Sequence, residues 1–123
     1  MNLSFNDLRD VDDEKLVNVI SSVNWAVLHN IKLNKYQMKE FLRKLSSKEL
    51  KLKSISMYRN NFCHASVLDY IVKLLEQVEE IKVSVSSANI QQVLQVMKEN
   101  NILTQFCGED SNDVVLTKLT KSN

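Results

Sequence analysis

The feature that most constrains this chain is what its 123 residues lack: there is no proline and only one glycine, Gly108. The two residues that break or sharply bend a backbone are almost unused. Turns must therefore come from Asn, Ser and Asp, whose short side chains bond to nearby backbone. Long flexible linkers and glycine-rich phosphate loops are excluded for the same reason. The length suits a single domain over residues 1–123 with one core, fraying at 1–11 and 120–123. Apolar residues make 44% and charged residues 25%, an ordinary globular balance. No apolar run approaches membrane-spanning length, and the N-terminus lacks the basic-then-apolar pattern of a secretory signal. The expectation is an intracellular protein, cytoplasmic or nuclear, not secreted and with no membrane partner. Cys63 and Cys107 then read as free thiols in a reducing compartment.

Charge is sorted along the chain. Lys32, Lys35, Lys39, Arg43, Lys44, Lys48, Lys51, Lys53 and Arg59 face only Glu40 and Glu49, so residues 32–59 carry +7 while the segments on either side carry −3 each. A cationic surface of this kind commonly meets phosphate or an acidic partner.

Periodicity predicts a first helix from near Asp12, with Asp10, Asp12, Asp13 and Glu14 at its positive end. Leu16, Val19, Ile20, Val23 and Val27 form its stripe, Trp25 packs at the margin, and His29 and Asn30 end it. A second helix spans about Lys35 to Leu45, capped by Asn34, with Met38, Phe41, Leu42 and Leu45 inward. Lys35, Lys39 and Arg43 then stack in one row beside that face. Residues 50–56 alternate as a strand does, but Ser46 and Glu49 have capping-box spacing, and a short helix ending near Tyr58 is preferred. A core helix follows from Ser66 to Glu80, then a strand Ile81–Val85, a helix to Asn100, and strands Ile102–Phe106 and Val114–Leu119 around a polar hairpin tip. No internal repeat or low-complexity segment is found.

Two stretches resemble known families. Residues 67–119 run helix, strand, helix, hairpin, and residues 85–101 resemble the recognition-helix region of winged-helix domains, closest to the C-terminal winged helices of eukaryotic replicative helicase subunits. That resemblance implies a helix at 88–100 presenting Asn89, Gln92, Gln95 and Lys98, side chains suited to base edges. Lys98 is its only cation, and Glu109, Asp110 and Asp113 make an acidic wing that phosphate would repel, so the resemblance implies a scaffold or protein contact. Arg59-Asn60-Asn61-Phe62-Cys63-His64 resembles the Arg-Asn…His signature of HEPN ribonucleases. That resemblance implies a metal-independent ribonuclease acting as a homodimer, with His64 as general acid or base, Arg59 on the scissile phosphate and Asn60 orienting them.

The expected fold is mainly α with a small β element (α+β): a helical N-terminal half and a winged-helix-like α-β-α-β-β C-terminal half. The leading expectation for function is a non-enzymatic module contacting nucleic-acid phosphate through Lys35, Lys39, Arg43, Lys44, Lys48, Lys51 and Lys53. The alternatives are the ribonuclease of Arg59, Asn60 and His64, and an adaptor or inhibitor binding an acidic protein. No cofactor or metal site is expected: Cys63-His64 is the only Cys/His adjacency, and two ligands do not make a site.

Overall fold

Asn34 starts the most regular element. Its side chain accepts from Gln37 N at 2.8 Å while Gln37 Oε1 accepts from Asn34 N at 3.0 Å, a reciprocal cap that satisfies two amides at the start of the helix. This helix and its neighbours belong to a computed structural model that describes residues 1–60, 65–108 and 112–119. The elements are α1 (Asp13–Ser21), β1 (Trp25–Val27), α2 (Lys35–Ser46), β2 (Ser54–Met57), α3 (Ala65–Leu74), β3 (Glu80–Ser84), α4 (Ile90–Glu99), β4 (Ile102–Phe106) and β5 (Asp113–Lys118).

The strands form one five-stranded sheet in the order β1-β2-β3-β5-β4. β1, β2 and β3 are parallel, with Ala26 opposite Ile55 and Ile55 opposite Ile81. β5 is antiparallel to both β3 and β4, so the hairpin inserts its second strand next to the parallel trio. The helices pack in chain order, α1 on α2, α2 on α3 and α3 on α4, as one layer beside the sheet. Between the layers lie Val17, Ile20, Met38, Phe41, Leu42, Leu45, Val67, Ile71 and Leu74 from the helices. Ala26, Ile55, Met57, Ile81, Val83, Val114 and Leu116 meet them from the sheet. Burying each larger aliphatic or aromatic side chain contributes roughly 1.5–3 kcal/mol, which makes this seam the main source of stability.

The architecture overturns the mainly helical expectation. The sheet runs through the whole chain, and the strand expected to be a minor C-terminal feature, β3, is its middle strand. The order α3-β3-α4-β4-β5 is the one expected for a winged helix, but Glu80 to Val83 of β3 pair with β2, so these elements share one sheet with the N-terminal half. The helix expected to reach Asn30 stops at Ser21, and Trp25–Val27 is a strand. Asp12 caps α1 by accepting from Glu14 N, as its acidic start implied. The helix preferred up to Tyr58 is absent too: the alternation of residues 50–56 prevails, giving β2, with Ile55 and Met57 buried in the core.

A repeat also emerges that apolar periodicity alone did not disclose. Val23-x-x-Ala26-x-Leu28, Leu52-x-x-Ile55-x-Met57 and Val78-x-x-Ile81-x-Val83 occupy matching places around β1, β2 and β3. The chain leaves two of these strands, and the N-terminal segment, through a left-handed residue: Phe5 (φ 63°), Asn30 (φ 50°) and Arg59 (φ 61°). Residues 1–8, expected to fray, form a further level. Val27 N bonds to Met1 O, Leu3 N to Val27 O, Phe5 N to His29 O and Leu8 N to Ile31 O. Each of these stacked units buries its apolar side on its neighbour.

Candidate functional site

The helices lie on one side, and among the described residues nothing covers the other face of the sheet as a layer. Register places its side chains in three rows. Trp25, Ser54, Glu80, Thr117 and Leu103 form the first, and Val27, Ser56, Lys82, Val115 and Gln105 the second. The third, one step past the parallel strands, is His29, Tyr58, Ser84, Asp113 and Cys107. Five strands at about 4.8 Å spacing give a surface about 19 Å wide.

Side chains of the third row contact one another and their neighbours. The His29 and Tyr58 rings lie 5.2 Å apart and tilted, and His29 Nε2 is 2.6 Å from Ser56 Oγ. The Tyr58 hydroxyl lies 3.2 Å from Cys107 Sγ. Ser84 Oγ accepts from Arg59 N at 2.9 Å and donates to Asp113 Oδ1 at 2.5 Å. Burial, with Arg59 nearby, pulls the His29 imidazole below its ordinary range, favouring the neutral ring. Burial and then the Cys107 contact push the Tyr58 phenol well above its ordinary value, so it stays a neutral hydroxyl. Lys82 Nζ and Glu80 Oε1 are 3.6 Å apart, so opposite charges sit side by side on this face. Trp25 is 53% exposed. Sequence reading missed this surface because it assigned Trp25 and His29 to a helix. The recurring strand spacing at Val23, Leu52 and Val78 was the signal that could have found it.

The cations of residues 32–59 are distributed over three regions. Lys35, Lys39 and Arg43 do form a row on α2, as helical spacing required. Arg43 bonds to Glu40 at 2.6 Å, and Lys44 lies 2.9 Å from Asp13 and 3.6 Å from Glu14, tying α2 to the acidic start of α1. Lys44 holds the Asp13 carboxyl below the usual carboxylate range. Lys48, Lys51 and Lys53 lie beyond α2 in its connection to β2, where Lys51 N bonds to Ser21 O and Lys53 N to Asn24 O. Lys32 and Arg59 are at the opposite end of the strands. Among the described residues, Lys35 and Lys39 are the members of the α2 row without a carboxylate at ion-pair distance.

Of the ribonuclease motif, Asn61 to His64 lie outside the described residues. Asn60 is buried and its amide is engaged: Nδ2 donates to Leu28 O at 2.7 Å and Met57 O at 3.1 Å, and Oδ1 accepts from Ile31 N at 3.1 Å. Asn60 thus fastens the exits of β1 and β2 together. On α4, Gln92, Gln95 and Lys98 are exposed, with Gln95 Nε2 bonded to Glu99 Oε1 at 2.7 Å, while Asn89 Nδ2 bonds to Ser86 Oγ at 2.9 Å. Glu109 and Asp110 lie outside the described residues, and Asp113 belongs to the open sheet face. No group of three or more His, Cys, Asp or Glu among the described residues is arranged to hold a metal ion. No helix among the described residues is long and apolar enough to cross a membrane. Comparison with family models, characterised proteins and solved structures finds no match to this chain.

Proposed function

We propose that this chain is a short solenoid of the leucine-rich-repeat kind that binds a protein partner through the open face of its sheet. The observation that carries this reading is the face itself: Trp25 and Tyr58, residue types enriched at protein interfaces, sit on the uncovered side of the sheet. The spacing Leu52-x-x-Ile55-x-Met57-x-x-Asn60 matches the leucine-rich pattern, in which strands of successive repeats line a common binding surface. The charges on the face, Glu80, Lys82 and Asp113, are mixed. A polyanion gains little from such a face, whereas a protein surface of mixed polarity suits it. This is the adaptor alternative, relocated from the basic block to the sheet. Phosphate contact by Lys35 and Lys39 remains the second reading, supported by their lack of an ion-pair partner among the described residues.

The test is affinity capture with the purified chain, followed by direct titration of the captured protein. Trp25→Ala and Tyr58→Ala are each expected to weaken binding by about tenfold or more, and Lys35→Ala/Lys39→Ala to leave it unchanged. Binding that disappears with nuclease treatment, or with Lys35→Ala/Lys39→Ala alone, rejects the sheet face and favours phosphate.

A further inference from the structure

The two edges of the sheet are treated differently. At the β1 edge, residues 1–3 lie alongside as a partial parallel strand, with Asn2 bridged to Val27. At the other edge β4 bonds to β5 on one side, and among the described residues its backbone makes no bond on the other. Its sequence, Ile-Leu-Thr-Gln-Phe, has no charge and no proline, so it lacks the devices by which edge strands usually repel one another. Leu103 is 40% and Phe106 48% exposed, and they point to opposite faces of the sheet. Thr104, at the centre of the strand, holds the only buried side-chain polar atom among the described residues that has no hydrogen-bond partner, its Oγ1.

We propose that β4 pairs antiparallel with β4 of a second copy of this chain, about a two-fold axis through Thr104. That register sets Thr104 opposite Thr104, a pairing of residue types that stabilises antiparallel strands. It places Phe106 opposite Ile102, giving the exposed ring an apolar neighbour. Leu103 falls opposite Gln105 on the open face. An uncharged strand meets itself without like-charge repulsion, which favours a second copy as occupant. The contact is isologous, as a two-fold requires. The open faces of the two copies then join into one continuous surface. A five-residue edge is a small interface, so the dimer forms only at about micromolar concentrations or above.

Sedimentation velocity on the full chain, from about 5 to 500 µM, tests this. The expected result is a concentration-dependent monomer–dimer equilibrium. Leu103→Lys, at an exposed position, should weaken the dimer about tenfold or more, and Leu103→Lys/Gln105→Glu should restore it by setting opposite charges across the axis. Far-UV circular dichroism and thermal melts establish that each variant is folded. Should Leu103→Lys fail to fold, Gln105→Lys, also at an exposed position, replaces it. A monomer throughout the range overturns the proposal, as does a dimer indifferent to the charge on β4. Neither outcome bears on partner binding by Trp25 and Tyr58, which is measured separately.

Discussion

His29 shows how one residue's surroundings redefine its chemistry. As the end of a helix it would be a solvated cation near a negative dipole. On the sheet it is part-buried, ringed by Ser56, Tyr58 and, through the backbone, Ser4, and its pKa is lowered. The sign of the consequence follows from linkage. Below about pH 6.5 the unfolded chain takes up a proton on this imidazole while the folded chain resists, so the unfolded state binds more protons. Stability should be fully present above about pH 6.5 and fall as pH drops from there toward the lower folded value. Thermal melts between about pH 7.5 and 5.5 should show this loss, and His29→Gln should flatten it over that window. A melting temperature with the same slope in both proteins would exclude His29 as its cause. No sequence rule places this imidazole against Ser56, because the two meet only when β1 and β2 pair.

At the scale of elements, turn chemistry was legible where it is local and obscure where it is shared. The Asn34–Gln37 cap, the α2 stripe and the bounds of β4 follow from contiguous residues, and the structure places them as expected. Asn60 is the contrary case. Its neighbours Arg59 and Asn61 suggest a turn or a catalytic motif, yet its amide bonds to Leu28, Met57 and Ile31 on two separate units. Asn60→Ala would leave the carbonyl of Leu28 and the amide of Ile31 buried without this partner. The expected loss is about 2–4 kcal/mol, read from the urea midpoint with the denaturant slope unchanged. A loss under about 0.5 kcal/mol would mean that the two units are held by apolar contact alone. Residues 50–56 mark the boundary between local and shared signals. A capping-box spacing and a strand alternation competed there, and burial of Ile55 and Met57 beneath the helix layer decided for the strand.

For the whole molecule, the main finding is that the sheet admits no division of the chain. A winged helix is a self-sufficient unit, whereas here β3 leans on β2 and the apolar seam runs from Val17 to Leu116. A fragment of residues 67–119 is therefore expected to show no cooperative thermal transition and poorly dispersed amide resonances; a sharp transition would restore the two-part view. The charge sorting found in the sequence is spread over several elements of the fold. α2 carries part of the block along its flank, Asp13, Glu14 and Glu40 neutralise some of it, and Lys48, Lys51 and Lys53 lie beyond the end of that helix. The amino-acid order by itself determined which residues are apolar, where α2, α4 and the C-terminal hairpin lie, and that turns rest on Asn, Ser and Asp. Only tertiary structure decided which strands are neighbours, that every helix falls on one side, and hence that Trp25, His29 and Tyr58 share an open face. The physical reason is reach: helix periodicity and capping act within about four residues, whereas pairing β1 with β2 and β3 joins residues far apart in sequence.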